Sequence, residues 1–312
     1  MLLPGCSFIG DEEPWQQRDI IFSGKPVAMV PEDGSETGIY SVNLDGSGLT
    51  AILTSDKETF ASPVPSPDGS KLVFQSSIRG TTIGSPLAVV RFDGSPVSFA
   101  LDLIMWDKFF VGYSPRWVDP DRFVFVSDYG NGYEADVSDG TVRSLDFGDF
   151  ALVLPGPDST YALVRERDTP EFSGRDIIFR RGAEPNAVER ILVDGGANGL
   201  DWSPSGHALA YMDIGASFEY HDLVVVDTLG VEQVRHKLVS SDMADSMGFG
   251  GTFNWLPDGR TVLTSRWRRQ SSGARYTLVA IDLDDGSIRE ILDGHVHFRV
   301  SVNPLGRLVA AD

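Results

Sequence analysis

Ser66-Pro67-Asp68-Gly69 leads at once into a short apolar run, Lys71–Gln75 (KLVFQ). The same phrase returns, with drift, as Asp119-Pro120-Asp121-Arg122, Gly156-Pro157-Asp158-Ser159, Ser203-Pro204-Ser205-Gly206, Leu256-Pro257-Asp258-Gly259 and Asn303-Pro304-Leu305-Gly306. Each copy runs into another apolar stretch: Phe123–Val126, Tyr161–Val164, Ala208–Met212, Thr261–Thr264 and Arg307–Ala311. The prolines stand 53, 37, 47, 53 and 47 residues apart. A repeat of that length, made of strands and turns, is one structural unit copied around a ring or along an array.

Working outward from the turn, the unit beginning at Asn198 is the clearest. Its strands read Gly199–Ser203, Ala208–Met212, Asp222–Asp227 and Gln233–Val239, and the next unit copies them as Thr252–Trp255, Thr261–Thr264, Tyr276–Asp282 and Ile288–Leu292. Asp45-Gly46, Asp93-Gly94, Asp139-Gly140 and Asp285-Gly286 mark the turn between third and fourth strands, because Asp-Gly supplies the positive φ of tight hairpins. Four antiparallel strands per unit make a propeller blade, so the expected fold is an all-β propeller, with the first strand of each blade on the central channel and the fourth at the rim. Trp202 and Trp255 stand two residues before their prolines and Trp117 three before its own. They read as inter-blade packing, the alternative being an aromatic ligand platform.

The first unit is weaker. Ser23-Gly24 stands in the place of the proline turn, with Pro26–Val30, Gly38–Asn43 and Leu49–Thr54 as second, third and fourth strands. The tail, Phe298–Ala311, supplies two strands. Six blades are expected, the tail closing the ring beside the first unit; seven result if the tail instead joins Asp19–Phe22 in a blade of its own. In either case the two chain ends pair, because closure removes exposed sheet edges.

The chain has 312 residues, 41% of them hydrophobic, enough for a large core, and the repeat makes residues 19–312 one domain. Its net charge of −19 argues against a nucleic-acid partner, which needs clustered positive charge. No apolar run reaches the ~18 residues of a membrane-crossing helix. A single cysteine excludes an internal disulfide and a multi-cysteine zinc site. Leu3-Pro4-Gly5-Cys6 resembles the bacterial lipobox, in which the cysteine is lipidated after cleavage before it. Residues 1–18 therefore read as a lipobox-like segment and a flexible tether, with only Met1-Leu2 ahead of the box and the basic and apolar parts of a leader missing.

Trp202–Tyr211 (WSPSGHALAY), Ser66–Phe74 (SPDGSKLVF) and Ile39–Thr50 (IYSVNLDGSGLT) resemble the units of TolB-like propellers, the WD40-like PD40 repeats. The resemblance covers about residues 20–312 and implies the fold, not one activity. Relatives of this kind include the periplasmic Tol translocation protein, which adds an N-terminal α/β domain where about 20 residues precede the first blade here, the propeller halves of prolyl-oligopeptidase-type peptidases, and metal-dependent sugar lyases.

Serine hydrolase chemistry finds no support. The nearest approach to Gly-x-Ser-x-Gly is Gly112-Tyr113-Ser114-Pro115-Arg116, which fails at its last position. Asp282-Leu283-Asp284-Asp285-Gly286 reads as a hairpin turn, not a calcium loop, because Glu290 comes too early. Among five histidines only His295 and His297 form a local pair; on a strand both imidazoles share one side and can meet one metal. His221 is expected on the same face, formed by the second-to-third and fourth-to-first loops, where the resemblance to the lyases implies a His-based metal site. That face also collects Arg165 and Arg167, the run Arg266-Trp267-Arg268-Arg269, and Trp106 and Lys108. Arg and Trp are enriched at binding hot spots, and such arginines suit a carboxylate-bearing partner. The long segments Ser77–Ser85, Thr169–Gly174, Gly215–Tyr220 and Asp242–Gly251 are expected as loops overhanging it.

The sequence thus reads as a monomeric, non-catalytic binding or scaffold protein of the bacterial cell envelope, periplasmic or on the outer envelope and lipid-anchored through Cys6. It needs no cofactor and presents a loop-rich face to a protein, peptide or glycan. The competing reading is a metal-dependent lyase or hydrolase using His295, His297 and His221.

Overall fold

The structure is a computed structural model that describes residues 6–8, 19–24, 26, 37–55, 57–78, 87–91, 113–127, 130–145, 147, 150–169, 172–184, 187–214, 221–240, 247–271, 273–294 and 299–302. Its strands form six antiparallel sheets arranged as the blades of a propeller. Blade 1 holds β1 (Cys6–Phe8), β2 (Ile20–Gly24), β3 (Thr37–Val42) and β4 (Thr50–Ser55); blade 2 holds β5 (Glu58–Pro65), β6 (Lys71–Ile78) and β7 (Leu87–Arg91). Blade 3 runs β8 (Tyr113–Trp117), β9 (Arg122–Val126), β10 (Gly132–Asp136) and β11 (Val142–Leu145). Blade 4 runs β12 (Leu152–Pro155), β13 (Thr160–Thr169), β14 (Phe172–Arg181) and β15 (Val188–Val193). Blade 5 runs β16 (Ala197–Trp202), β17 (Ala208–Asp213), β18 (His221–Asp227) and β19 (Glu232–Val239), and blade 6 β20 (Met247–Trp255), β21 (Thr261–Gln270), β22 (Gly273–Asp282) and β23 (Ile288–Gly294). The last strand, β24 (Arg299–Val302), crosses back to blade 1, whose order is β1-β4-β3-β2-β24.

That crossing closes the ring. Ile20 pairs with Val302 and Ser23 with Arg299, so the two ends of the propeller are joined in one sheet and six blades suffice. It also corrects the reading of the first unit. Its second strand is Ile20–Gly24, not Pro26–Val30, and Ser23-Gly24 ends that strand instead of turning before it. Ile20-Ile21-Phe22 has the continuous apolar character of a strand buried on both faces, a stronger signal than the proline-bounded run after it. Of that run, Val27–Val30 lies outside the described residues. Cys6–Phe8 pairs with β4 as a fifth strand on the outer edge of blade 1.

The core lies between blades. Six clusters of buried apolar residues each join two neighbours, and a single strand feeds two of them by alternation. Ile20 and Phe22 pack towards blade 6 while Ile21 packs towards blade 2. Leu209 and Tyr211 face blade 4, and Ala210 and Met212 face blade 6. The three tryptophans repeat one bond between innermost strands. The indole N–H of Trp117 donates to the carbonyl of Val64 (2.8 Å), that of Trp202 to Leu154 (3.3 Å) and that of Trp255 to Asp201 (3.2 Å). Each reaches the preceding blade at the residue before its own equivalent position, so inter-blade packing is their role.

The proline turns are built alike. The N–H groups of Gly69, Gly206 and Gly259 donate to the carbonyls of Ser66, Ser203 and Leu256. The Asp258 carboxylate accepts from the N–H groups of Arg260 and Thr261, as that of Asp68 does from Ser70. These glycines need positive φ, +70° at Gly206 and +68° at Gly259. At Gly206 a second constraint acts, since a Cβ there would lie 2.3 Å from Cγ of Pro157 in the turn of blade 4, whereas at Gly259 it would meet nothing within 4 Å. Gly259→Ala should therefore cost about 1 kcal/mol from backbone strain alone. Gly206→Ala should cost at least about 1 kcal/mol more from overpacking. Urea unfolding of the two variants checks this; equal losses would mean the turns do not touch.

Candidate functional site

Connections from second to third and from fourth to first strands leave one face of the propeller, and on that face two blades differ from the rest. The hairpin β13–β14 pairs over ten residues, from Thr160↔Arg181 to Thr169↔Phe172, and β21–β22 over ten, from Thr261↔Asp282 to Gln270↔Gly273. The same hairpin spans six pairs in blade 5 and five in blade 3. At about 3.4 Å per residue, the two long hairpins stand roughly 14–17 Å taller and flank blade 5.

This revises the expected loops. Arg165–Asp168 and Arg266–Arg269 lie inside strands, as do Phe172–Gly174 and Met247–Gly251. A hairpin projecting into solvent can carry charge on both faces and gains from cross-strand ion pairs. Glu166 and Arg175, opposite one another in register, make such a pair at 2.9 Å, and Arg175 also donates to Asn198 of β16 at 3.1 Å.

The arginines of the expected site separate into two groups. Arg165 is held by Glu189 (3.4 Å) and lies over the Phe150 ring at 4.9 Å, facing blade 3. Arg266 is only 5% exposed and is bound to Glu290, so it is a packing residue of blade 6. Arg275, opposite Arg268, is bound to Asp293. Arg268 and Arg269 are exposed, and neither has an ion pair or hydrogen bond among the described residues. Alternation points them to opposite sides of the hairpin, with half-buried Trp267 immediately before them in sequence and on the same side as Arg269. The side chain of Arg167, and Trp106 and Lys108 altogether, lie outside the described residues.

His221 is buried at the start of β18, where its Nδ1 accepts the N–H of Phe249 (3.3 Å). Burial pushes its pKa down, so the ring is neutral with its proton on Nε2. The ring meets Trp267 across Gly248: a Cβ on that glycine would lie 2.9 Å from His221 Nε2 and 2.8 Å from Trp267 Nε1. One nitrogen of His221 is thus engaged by the backbone. No group of three metal-ligating side chains occurs among the described residues, and His295 and His297 lie outside them.

The innermost strands carry two charged groups outside the sequence-predicted set. Arg116 and Asp201 are the residues immediately before Trp117 and Trp202 on the innermost strands β8 and β16, at one level of the ring. Both are half-buried. The Asp201 carboxylate accepts the N–H of Trp255 at 2.9 Å, tying blade 5 to blade 6 beside the indole bond. Burial raises its pKa from the ordinary 3.8 to about 6, against the opposing pull of Arg116. Burial likewise lowers the pKa of Arg116, which Asp201 partly restores. The signal available in the sequence was the position itself: a charge directly before a blade tryptophan.

No family model matches the chain and no curated protein matches it. Solved structures do. TolB from Acinetobacter baumannii superposes with a TM-score of 0.68 at 15% identity over 92% of this chain and 66% of that one. The fold is that of a TolB-like propeller. Kuenenia stuttgartiensis hydrazine synthase follows at 0.62, 12% identity, 96% and 51%, and an oligogalacturonate lyase in complex with manganese at 0.52, 12% identity, 93% and 76%. The chain therefore spans about two thirds of the TolB chain and about half of the hydrazine synthase chain. Identities this low carry the six-bladed architecture and leave the site residues to be argued from this chain alone.

Asp201 makes stability depend on pH in a defined direction. Between about pH 4 and 6 the folded chain holds the Asp201 proton more tightly than the unfolded chain does, so this residue's contribution falls as pH rises through that window. The full shift corresponds to about 3 kcal/mol, an upper value because channel solvent reaches the group. Asp68, Asp119 and Asp136, whose pKa values are lowered, act in the opposite sense. The comparison is therefore with Asp201→Asn, which should gain stability over the wild type at pH 7 and lose most of that gain at pH 4.5 in urea unfolding.

Proposed function

We propose that this chain is a non-catalytic binding protein of the bacterial cell envelope that presents the tall-hairpin face of its propeller to a carboxylate-bearing protein, peptide or glycan. The observation that carries the reading is the contrast among arginines. In a chain of net charge −19, Arg122, Arg165, Arg175, Arg235, Arg260, Arg266 and Arg275 are each bound to carboxylates, whereas Arg268 and Arg269, near the tip of β21–β22, have no partner among the described residues. A guanidinium free of internal partners binds an external carboxylate in bidentate fashion, and Trp267 beside it offers apolar contact area.

The envelope setting rests on the likeness to TolB and on the lipobox-like Leu3–Cys6. In this reading the propeller acts as a monomer, and an acyl chain on Cys6 would leave from the outer edge of blade 1, where β1 pairs with β4. The partner binds without covalent chemistry.

Binding of oligogalacturonate and of a poly-glutamate peptide to the whole chain tests the patch. Charge reversal at both positions, Arg268→Glu with Arg269→Glu, should weaken capture at least about tenfold, and wild-type binding should fall with added salt. Equal capture by the wild type and the double variant would reject it, as would failure of the wild type to bind either probe.

A further inference from the structure

We infer, resting on the carboxylate reading of the hairpin face, that the ligand's carboxylate is received at one point beside Gly248, where it accepts from the indole N–H of Trp267 and the Nε2–H of His221, with Arg269 as the cation on the same side.

Register brings these groups together. Gly248 stands opposite Trp267 in the β20–β21 pair, so the indole and the Cβ position of the glycine share one side of the sheet. Arg269, two residues on from Trp267, returns to that side, whereas Arg266 and Arg268 point to the other. His221 comes from blade 5. The N–H of Phe249, on the free edge of β20, donates across to its Nδ1 at 3.3 Å. The two rings meet beside Gly248, where a Cβ would lie 2.8 Å from Trp267 Nε1 and 2.9 Å from His221 Nε2. Any residue but glycine would cover that point.

Both nitrogens are unused donors. The bond to Nδ1 leaves the His221 proton on Nε2, and neither Nε2 nor Trp267 Nε1 has a hydrogen-bond partner among the described residues. Trp117, Trp202 and Trp255, in contrast, each give the same N–H to a carbonyl of the preceding blade. Solvent reaches both free nitrogens. The side-chain nitrogens and oxygens that are fully buried and unpartnered among the described residues belong to Ser41, Thr264 and Arg266. His221 is only 5% exposed, so an almost enclosed ring presents an unused N–H to the outside. Arg266 Nε is sealed on the other side of the hairpin, beyond the reach of an external ligand.

The donor set defines the ligand. Two N–H groups beside one point, with an exposed guanidinium on the same side, call for an acceptor that is negative and rich in lone pairs. A carboxylate oxygen accepts two bonds at once, and its charge makes each roughly twice as strong as a bond to a neutral acceptor. Neutral donors suit the enclosed part of the site, because a cation buried there without a partner would be costly. An ammonium group finds no acceptor on these three side chains. Asp222, whose charge acts on His221, is itself held by Arg235 at 2.9 Å, which blunts its repulsion of an incoming anion.

The test is nuclear magnetic resonance of the isotope-labelled whole chain, titrated with the poly-glutamate peptide and, separately, with oligogalacturonate, each with and without EDTA. The indole signal of Trp267, identified by its loss in Trp267→Phe, should move saturably, and the probe that moves it names the source of the carboxylate. The signals of Trp117, Trp202 and Trp255, engaged between blades, should stay in place. Trp267→Phe keeps an aromatic ring and removes the donor, and should bind at least about fivefold more weakly. Gly248→Ala fills the point between the two nitrogens and should lose at least about tenfold. Arg269→Gln should lose more than Arg268→Gln. A Trp267 signal that stays still while the wild type binds and the Arg268→Glu, Arg269→Glu double variant does not, or wild-type affinity in Trp267→Phe, would overturn this site and leave the hairpin-face reading standing. Capture seen only without EDTA would overturn it too, because His221 would then serve a metal. Failure of the wild type to bind either probe would reject both readings.

Discussion

Burial of every blade on both faces is the constraint from which the rest of this structure follows. A four-stranded sheet with apolar side chains on both sides has no stable place in water by itself, because either face left open exposes a core-sized surface. Stacking blades face to face solves this for all but the first and last, and only a ring solves it for those two. The cluster in which Ile20 and Phe22 meet Leu263 and Leu278 is therefore not one contact among many. It is the contact that turns an open stack into a closed body, and the pairing of β24 with β2 holds it.

The sequence made this legible where the same physics repeats and hid it where the repeat lapses. Five proline turns and the runs after them located the second strands of blades 2 to 6 because a turn of fixed chemistry precedes a short apolar strand, while the sixth turn, at Pro304, and the run Arg307–Ala311 lie outside the described residues. Blade 1 has no such turn before its second strand in the sequence, and Pro26–Val30 imitates a strand after a turn, although Ile20-Ile21-Phe22 bears the mark of double burial. The arginine-rich stretches misled for another reason. Polar residues at Arg165–Asp168 and Arg266–Arg269 say that the chain is in solvent, not that it is irregular, and strand pairing past the edge of the core satisfies the backbone as well as a loop would. The tryptophans were placed correctly because large aromatic groups on an inner strand can fill only the space between blades.

The proposed hairpin-face binding region has its origin in that constraint. Inter-blade packing supplies the stability, so positions outside it can change without loss of the fold. Hairpin tips rise beyond the packed layer, and at β21–β22 this leaves Arg268 and Arg269 without the acidic neighbours that occupy arginines lower on the blades. A strongly acidic surface sharpens the effect, since two free cations on a projecting ridge form a local positive site in a field that otherwise repels anions.

The channel level is the more demanding case, because there the departure from the repeat is costly. Val64 and Leu154 show what the scaffold accepts at that position: an apolar side chain that joins the inter-blade core. Placing Arg116 and Asp201 there removes two apolar contacts and encloses two charges whose pKa values are pushed toward neutrality by burial. Asp201 recovers part of that cost by binding the N–H of Trp255, an edge group of an innermost strand that has no further strand to pair with. Among the described residues the one hydrogen bond of the Arg116 side chain returns to the adjacent Pro115.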